Sequence, residues 1–164
     1  MVELRRITDD NFREVIALEL AEGQDKFVAP NIYTLAEAYV SLTDDFNIPM
    51  LYAIYDDDAM VGFIAMAYER PTGDDAEGEP EGKALGSYAM YRFMIDRRHQ
   101  GRGFGRAALA QAIELLRTQP HGPASHIATS FVPGNDVAQR LYTSLGFVET
   151  GELDGDELVA RYEL

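Results

Sequence analysis

Residues 89–106, AMYRFMIDRRHQGRGFGR, connect a predicted strand to a predicted helix. The apolar run 89–95 predicts the strand. Residues 106–117 predict the helix, because their apolar side chains recur at i, i+3, i+4 and i+7. Between the two lies a turn rich in glycine. The periodic positions that predict the buried face of the helix are Leu109, Ala112, Ile113 and Leu116.

A glycine-rich turn that opens a helix is typical of an anion-binding site. The first N–H groups of a helix have no intrahelical acceptor, and the helix dipole favours negative charge beside them. Glycine lets the backbone curve around phosphate oxygens without clashes of Cβ atoms. Arg102 and Arg106 add positive charge on either side. The turn therefore predicts a pyrophosphate site.

The glycine spacing argues against two common nucleotide-binding classes. Residues 101–105 have the spacing G-x-G-x-G, whereas the dinucleotide fingerprint is G-x-G-x-x-G and lies early in its βαβ unit. Neither Lys26 nor Lys83 lies in a P-loop pattern. An ordinary tight turn between strand and helix is the alternative for this segment taken alone.

Residues 135–147, NDVAQRLYTSLGF, form a second motif. Together with the Gln-x-x-Gly-x-Gly pattern of residues 100–105, it resembles the acetyl-coenzyme A signatures of the GNAT superfamily of N-acetyltransferases. The resemblance covers essentially the whole chain. Within the superfamily, residues 92–96, 100–103 and 151–158 are most similar to bacterial spermine/spermidine (polyamine) acetyltransferases. The resemblance implies a mixed α/β (α+β) fold of three layers, whose central, mostly antiparallel sheet has one splayed parallel pair.

The resemblance also implies a site for acetyl-coenzyme A as co-substrate. Main-chain groups of Phe93, Met94 and Ile95 would bind the pantetheine arm, and one of their N–H groups would face the thioester oxygen. Asn135 would contact the cofactor, although capping of the helix that follows explains it equally well. The pyrophosphate loop would comprise Gln100, Gly101, Arg102, Gly103, Phe104, Gly105 and Arg106.

Tyr142, in the second motif, is the predicted general acid. Acetyl transfer to an amine needs a bound thioester, a neutral amine, a stabilised oxyanion and a proton for the departing thiolate. A phenol is protonated at neutral pH and can supply that proton, and the family counterpart of Tyr142 has that role. A tyrosine that only packs on its ring is the alternative.

The sequence leaves the general base open. Many relatives carry a glutamate at the position that corresponds to Ala89. A water relay or another side chain is therefore the candidate for the general base in this sequence. Glu19, Glu22 and Asp25 cluster after the first predicted helix and are candidates for the base or for binding the ammonium groups of a substrate. A solvated acidic surface is the alternative for this cluster. His126 titrates in the right range for a base, but a structural histidine is the more common case.

Composition and charge restrict the partners. With 28 acidic and 14 basic residues the net charge is −14, so we expect nucleic acid and anionic membranes to be repelled and a cationic amine to be attracted. Solubility or adaptation to high salt explains the charge equally well. The chain has no cysteine, and no metal is predicted. No apolar stretch is long enough to span a membrane and no signal-peptide core is present, so we expect a cytoplasmic protein.

The remaining sequence predicts the other elements of a single domain, residues 1–164. We expect an edge strand at Val2–Arg6 and a first helix whose N-cap is one of residues 8–11. Thr34 and Glu37 match a capping box that would open a second helix. The later elements are expected as a hairpin of residues 50–55 and 60–68, a mobile loop over 70–85, strands over 126–131, 148–152 and 158–162, and a helix over 136–145.

The sequence therefore predicts an acetyl-coenzyme A-dependent N-acetyltransferase. Its expected acceptor is a primary amine of a small polycation, a polyamine such as spermine or spermidine, which attacks directly in a ternary complex. Alternatives keep the fold and change the acceptor to a protein N-terminus, an aminoglycoside or an amino acid, or make the protein a non-catalytic acyl-coenzyme A sensor. A nucleotide-binding regulator is disfavoured, because both phosphate motifs of that class are missing. Relatives are often homodimers, so a homodimer is expected.

Overall fold

A mixed sheet of seven strands forms the centre of the structure, a computed structural model that describes residues 1–44, 47–71 and 86–164. The strand order is β1-β2-β3-β4-β5-β7-β6, and among these described strands only β4 and β5 are parallel neighbours. The prediction of a mostly antiparallel sheet with one parallel pair is therefore confirmed. The strands are β1 (Val2–Arg6), β2 (Asn47–Asp56), β3 (Ala59–Glu69), β4 (Gly86–Ile95), β5 (Ala124–Phe131), β6 (Val148–Asp154) and β7 (Glu157–Glu163).

Helices cover both faces of the sheet, as the predicted three-layer fold requires. On one face, buried residues of the third helix pack with Tyr142 of the fourth helix against the sheet. On the other face, Val15 of the first helix and Leu18 pack against Phe63 and Met94. The helices are α1 (Phe12–Ala17), α2 (Asn31–Asp44), α3 (Phe104–Arg117) and α4 (Asp136–Ser144).

The parallel pair of β4 and β5 separates before either strand ends. Their paired residues run from Gly86 with Ala124 to Met90 with Thr129, yet β4 continues to Ile95. A β-bulge coincides with this point, because Tyr91 is an extra residue of β4 relative to β3. Bulges bend a strand and end its regular pairing. The bulge therefore accounts for the opening between β4 and β5, which the sequence predicted as a splayed pair.

The elements predicted from local patterns agree with the structure. The hairpin of β2 and β3, the edge strand β1 and the strand–turn–helix segment of residues 89–117 are all present. The side chain of Asn135 caps α4 by accepting a hydrogen bond from the N–H of Ala138. At the other end of α4, Gly146 has φ of 101°, and the N–H of Phe147 binds the carbonyl of Tyr142. This is the glycine-terminated helix end that the sequence predicted.

The predicted capping box of the second helix is wrong. α2 begins at Asn31, so Thr34 lies within its first turn, where it is fully buried and its hydroxyl has no hydrogen-bond partner in the described part of the chain. The side-chain amide of Asn31 donates to the carbonyl of Val15, 2.8 Å away. The N–H of Thr34 already donates to the carbonyl of Pro30, so the helix begins one turn before the predicted cap. The contact of Asn31 with α1 accompanies this start, and a local pattern does not reveal it. The expected loop 70–85 lies outside the described residues from position 72 onward.

Gly62 on β3 has no room for a side chain, because a Cβ atom there would lie 2.4 Å from the carbonyl oxygen of Met94. We expect Gly62→Ala to displace β4 and to lower the free energy of unfolding by about 2 kcal/mol. Thermal melts followed by circular dichroism should show Tm lowered by about 4–8 °C. Gly105→Ala is the control, since its Cβ would have no neighbour closer than 3.6 Å. Equal melting of the two variants would contradict this prediction.

Candidate active site

The separation of β4 from β5 leaves one edge of β4 open. From Arg92 to Ile95 the strand pairs with β3 alone among the described strands. At the last paired position the hydroxyl of Thr129 donates to the carbonyl of Met90 over 2.9 Å, which closes the ladder. Beyond it, backbone N–H and C=O groups face the gap, and an extended ligand that carries amide groups can bind such an edge as an added strand.

The glycine-rich loop lies beside the same opening. Gly101 and Gly103 have φ of 73° and 84°, in the left-handed region that favours glycine. Gly103 is the N-cap of α3, and no side chain caps this helix in the structure as described. The N–H groups of the first turn are therefore available to an anion. Gly105 brings the helix start against the open part of β4, since its Cβ would lie 3.6 Å from the Phe93 ring.

The two arginines of the loop have different neighbours. The guanidinium of Arg102 lies 5.0 Å from the ring centroid of Phe104 and 3.3 Å from Nδ1 of His99. Arg106 instead donates to the hydroxyl of Ser144 over 2.5 Å and to its carbonyl over 3.2 Å. Arg106 therefore joins the start of α3 to the end of α4. Both arginines are exposed, and Arg102 contacts its own turn rather than α4.

Gln100 connects the loop to the segment between α1 and α2. Its side-chain amide donates to the carbonyl of Ile95 over 2.9 Å and to Oε1 of Gln24 over 2.7 Å. The same oxygen of Gln24 accepts from the N–H of Ala21. The side chain of Gln100 thus positions the end of β4 and the α1–α2 segment. The main-chain groups of Gln100, rather than its side chain, remain available to an anion.

Asp96, which sequence reasoning did not single out as a site residue, is a buried centre of hydrogen bonds. Its side chain is fully buried and accepts from the N–H of Glu19 over 3.0 Å and from the N–H of Arg98 over 2.9 Å. The Arg98 guanidinium also donates to it. Burial by itself would raise the pKa of Asp96, but these hydrogen bonds outweigh it and hold the pKa well below its usual range.

The predicted acidic cluster lines one cleft. Glu19, Glu22 and Asp25 surround an opening of about 570 Å³ whose floor includes Met94 of β4. The carboxylate of Glu19 lies 2.5 Å from the guanidinium of Arg97, so its charge is partly balanced. Glu22 and Asp25 are exposed and are in no ion pair within the described chain. We call this opening the α1–α2 cleft.

Tyr142 lies at the point where β4 and β5 separate. It is only 6% exposed, and its ring packs against Phe131 and Phe147, with centroids 6.1 and 5.4 Å apart. Its hydroxyl lies beside that of Thr129, the last paired residue of β5. Burial raises the pKa of Tyr142, and the contact with Thr129 only partly offsets this effect. The phenol therefore stays protonated at neutral pH and can donate a proton toward the opening.

A second cleft, of about 640 Å³, adjoins the opening on the face that carries α1 and α2. Tyr91 at the bulge forms one wall, Ser130 of β5 another, and the turn between β6 and β7 a third. Burial, together with nearby Glu37, raises the pKa of Tyr91 to about 12. Sequence reasoning missed this β6–β7 cleft, because three separate segments of the chain form it. The acidic residues of its turn are Asp154, Asp156 and Glu157.

Two other candidates have structural contacts away from the opening. The side-chain oxygen of Asn135 is used in the cap of α4. His126 lies near the start of β5 and contacts the hydroxyl of Ser125 at 2.8 Å. Burial lowers the pKa of His126. Since His126 precedes Thr129 by about 10 Å of extended strand, it does not reach the point where the strands separate.

The family assignment follows from the sequence match together with this geometry. A family model described as acetyltransferase (GNAT) family matches residues 12–147, which is most of the chain. The chain belongs to the acetyltransferase (GNAT) family. This GNAT protein is therefore an acetyl-coenzyme A-dependent N-acetyltransferase, as the two motifs predicted.

One curated protein is similar to this chain in sequence, and solved structures share its fold. A spermine/spermidine N(1)-acetyltransferase of Bacillus subtilis (strain 168) is 28% identical over 162 residues, which cover 98% of this chain and 97% of the relative. The structure of aminoglycoside acetyltransferase AAC(6')-Ib with coenzyme A superposes with a TM-score of 0.71 at 18% identity, over 99% and 95% of the two chains. Spermidine N-acetyltransferase from Vibrio cholerae, solved with coenzyme A and spermine, gives 0.65 at 17% identity, over 99% and 94%.

Two further observations concern membranes and metals. No helix in the described segments combines the length and apolar character needed to cross a bilayer. Within residues 1–44, 47–71 and 86–164, no group of three or more histidine, aspartate or glutamate side chains is arranged to hold a metal ion.

Proposed function

We propose that this GNAT enzyme acetylates a primary amine of a polyamine such as spermine or spermidine. The observation that carries the proposal is the α1–α2 cleft, in which Glu22 and Asp25 are exposed beside Met94 of β4. Carboxylates next to the thioester-binding strand favour a substrate with ammonium groups. The Bacillus relative, named for spermine and spermidine, supports the same acceptor class.

The arrangement of the two clefts suits a long acceptor with several charges. Tyr91 of the β6–β7 cleft and Met94 of the α1–α2 cleft lie on the same face of β4. Three residues of extended strand separate their Cα atoms by about 10 Å. An extended polyamine can therefore place one nitrogen at the opening of β4 and β5 and another ammonium group against Glu22 and Asp25.

In the proposed reaction, main-chain groups of Phe93, Met94 and Ile95 hold the pantetheine arm, and the first N–H groups of α3 hold the pyrophosphate. The residues of that loop are Gln100, Gly101, Arg102, Gly103, Phe104, Gly105 and Arg106. Asn135 supports this site through the cap of α4. One N–H on the open edge of β4 stabilises the oxyanion.

Tyr142 acts as the proton donor in the transfer. The neutral amine nitrogen attacks the thioester carbonyl carbon, and the carbon–sulfur bond breaks. Tyr142 donates its phenolic proton to the departing thiolate and regains a proton from the acylated nitrogen. Before attack the ammonium form of the amine has to lose one proton to a base. The products are an N-acetylpolyamine, free coenzyme A and that proton.

Release of the thiol from acetyl-coenzyme A tests the proposal against a panel of acceptors. The panel contains spermine, spermidine, simple diamines, an aminoglycoside, an amino acid and a peptide. Turnover that is fastest on polyamines is the expected result. Faster turnover on another amine would keep the GNAT reaction and overturn the polyamine acceptor. Binding of acetyl-coenzyme A without turnover on any amine would support a non-catalytic sensor.

Neutralising the α1–α2 cleft should weaken polyamine binding selectively. We expect the double variant Glu22→Gln/Asp25→Asn to raise KM for spermine about 10-fold, the result of losing two exposed ion pairs. KM for acetyl-coenzyme A should stay unchanged. Asp9→Asn/Asp10→Asn is the matched control, because it removes the same charge from the segment before α1. Equal rises in the two double variants would indicate only an effect of net charge.

A homodimer, a cytoplasmic location and a single domain over residues 1–164 stay predictions. Sedimentation of the purified protein measures the first of these directly.

A further inference from the structure

Glu157 lies in the β6–β7 cleft at the end of the opening between β4 and β5. It is the first residue of β7, half-buried, and its carboxylate accepts a hydrogen bond from the hydroxyl of Ser130 over 2.5 Å. Ser130 follows Thr129, the last residue of β5 that pairs with β4. The other carboxylate oxygen of Glu157 accepts no hydrogen bond within the described residues. The carboxylate is therefore held in place and still has an oxygen for a proton.

Glu157 and Tyr142 lie on opposite faces of the sheet. Successive residues of a strand alternate between its faces. Thr129 contacts Tyr142 on the face that carries α3 and α4, so Ser130 and its partner Glu157 lie on the other face. The side chain of the neighbouring residue Leu158 packs on the face that carries α3 and α4, which agrees with this alternation. A carbonyl held in the opening would have an acid on one face and a carboxylate on the other.

The one cation among the described residues that line this cleft has other partners. Arg92 also lines the β6–β7 cleft, but its guanidinium donates to the carbonyl of Tyr91 over 2.8 Å and lies 3.6 Å from the carboxylate of Glu37. No ion pair of Glu157 is present among the described residues. Its negative charge is therefore available to an incoming ammonium group. The charge of Glu157 also favours the protonated form of Tyr142.

Other candidates for the base fit less well. Ala89 lies on the same face of the sheet as Ser130, two β5 positions before it in register, and has no ionisable group. The carboxylate of Glu19 is paired with Arg97 at 2.5 Å. His126 lies toward the wrong end of β5. Among the carboxylates that line the cleft, only Glu157 is bound to a side chain of β5.

We propose that Glu157 is the general base that takes the proton from the ammonium group of the acceptor, with Ser130 as its positioning residue. The step rests on the proposed function. One nitrogen–hydrogen bond of the ammonium breaks, the proton moves to the carboxylate of Glu157, and the electron pair left on nitrogen attacks the thioester carbonyl carbon. The proton then passes from Glu157 to water, so the carboxylate is restored for the next turnover.

Kinetics of Glu157→Gln test the proposal with an acceptor that wild type acetylates. We expect kcat at neutral pH to fall about 10²-fold, the usual loss for a missing general base, with KM for the acceptor changed little. The loss should shrink as pH rises toward the pKa of the amine, since the neutral amine then forms without a base. It should also shrink for a weakly basic primary amine such as trifluoroethylamine at pH 7. Ser130→Ala should show the same pattern with a smaller loss.

The controls separate catalysis from charge and from folding. Asp156→Asn removes an exposed carboxylate of the same turn and should leave kcat and its pH profile unchanged. If Glu157→Gln does not fold, Glu157→Asp keeps a carboxylate set back by one methylene and should show the same pH pattern.

A raised KM with normal kcat would overturn the assignment of Glu157 as the base and make it a binding residue. A loss of kcat that is independent of pH would also overturn it. If wild type acetylates an amine other than a polyamine, only the proposed acceptor fails; no turnover on any amine overturns both proposals.

Discussion

Tyr142→Phe is expected to lower kcat about 10²-fold, the usual scale for loss of a general acid. The substitution removes only the hydroxyl oxygen, which lies beside Thr129 where β4 and β5 separate. Without it, the departing thiolate has to leave unprotonated or take a proton from water. KM for acetyl-coenzyme A should change little, because the proton transfer takes place in the transition state. Steady-state thiol release at saturating acceptor measures both quantities.

The pH dependence of wild type follows from the buried phenol. Burial raises the pKa of Tyr142 above the ordinary value for tyrosine, which is about 10. The acid is therefore protonated throughout the neutral range, and deprotonation of Tyr142 should not lower kcat below about pH 10. An earlier alkaline fall in kcat that disappears in Tyr142→Phe would contradict this reading of the site.

Tyr162→Phe is the matched control for the same lost oxygen. The Tyr162 ring packs 5.6 Å from Phe147, in the same aromatic group as Tyr142, but the residue belongs to β7. The kcat of Tyr162→Phe should equal that of wild type. In Tyr142→Phe the ring contacts with Phe131 and Phe147 remain, so we expect the free energy of unfolding to fall by only about 1 kcal/mol. Equal activity of wild type and Tyr142→Phe would exclude Tyr142 as the acid.

Local patterns predicted those parts of the fold that local interactions determine. The cap at Asn135 and the end of α4 at Gly146 are contacts within a few residues, so the sequence contains the whole interaction. The same is true of the hairpin of β2 and β3 and of the turn from β4 into α3. The capping box at Thr34 failed because the helix begins one turn earlier, at Asn31, whose side chain makes a tertiary contact with Val15.

Contacts between distant segments determine the site, and the sequence could not predict them. Gln100 binds Gln24, and Arg106 binds Ser144, although both side chains belong to the loop expected to hold a pyrophosphate. The bulge at Tyr91 depends on how β3 and β4 pair, which no pattern in β4 reveals. The acidic residues before α2 were found from the sequence because they are neighbours in the chain. The β6–β7 cleft was missed because its walls are far apart in the chain.

Asp96→Asn is expected to lower the free energy of unfolding by about 3 kcal/mol, since an amide replaces a buried carboxylate that accepts several N–H bonds. The NH₂ group of asparagine cannot accept, so the N–H of either Glu19 or Arg98 loses its partner. Thermal melts should show Tm lowered by about 6–12 °C.

Arg98→Gln is the control, because the Arg98 side chain is 66% exposed and Asp96 would keep both backbone donors. Its cost should be below about 1 kcal/mol. Equal melting of the two variants would show that the buried hydrogen bonds contribute little.

The stability difference between wild type and Asp96→Asn should depend on pH in a defined direction. The folded-state pKa of Asp96 is depressed, whereas an aspartate in the unfolded chain titrates near about 3.9. Below that pH the unfolded chain binds a proton that folded wild type does not, so acidification favours unfolding of wild type. Asp96→Asn has no such proton to bind. The difference should therefore be constant from about pH 5 to 8 and should shrink as pH falls below about 4. Urea unfolding at several pH values measures it, and a difference that grows on acidification would mean that Asp96 is not the ionised acceptor of these hydrogen bonds.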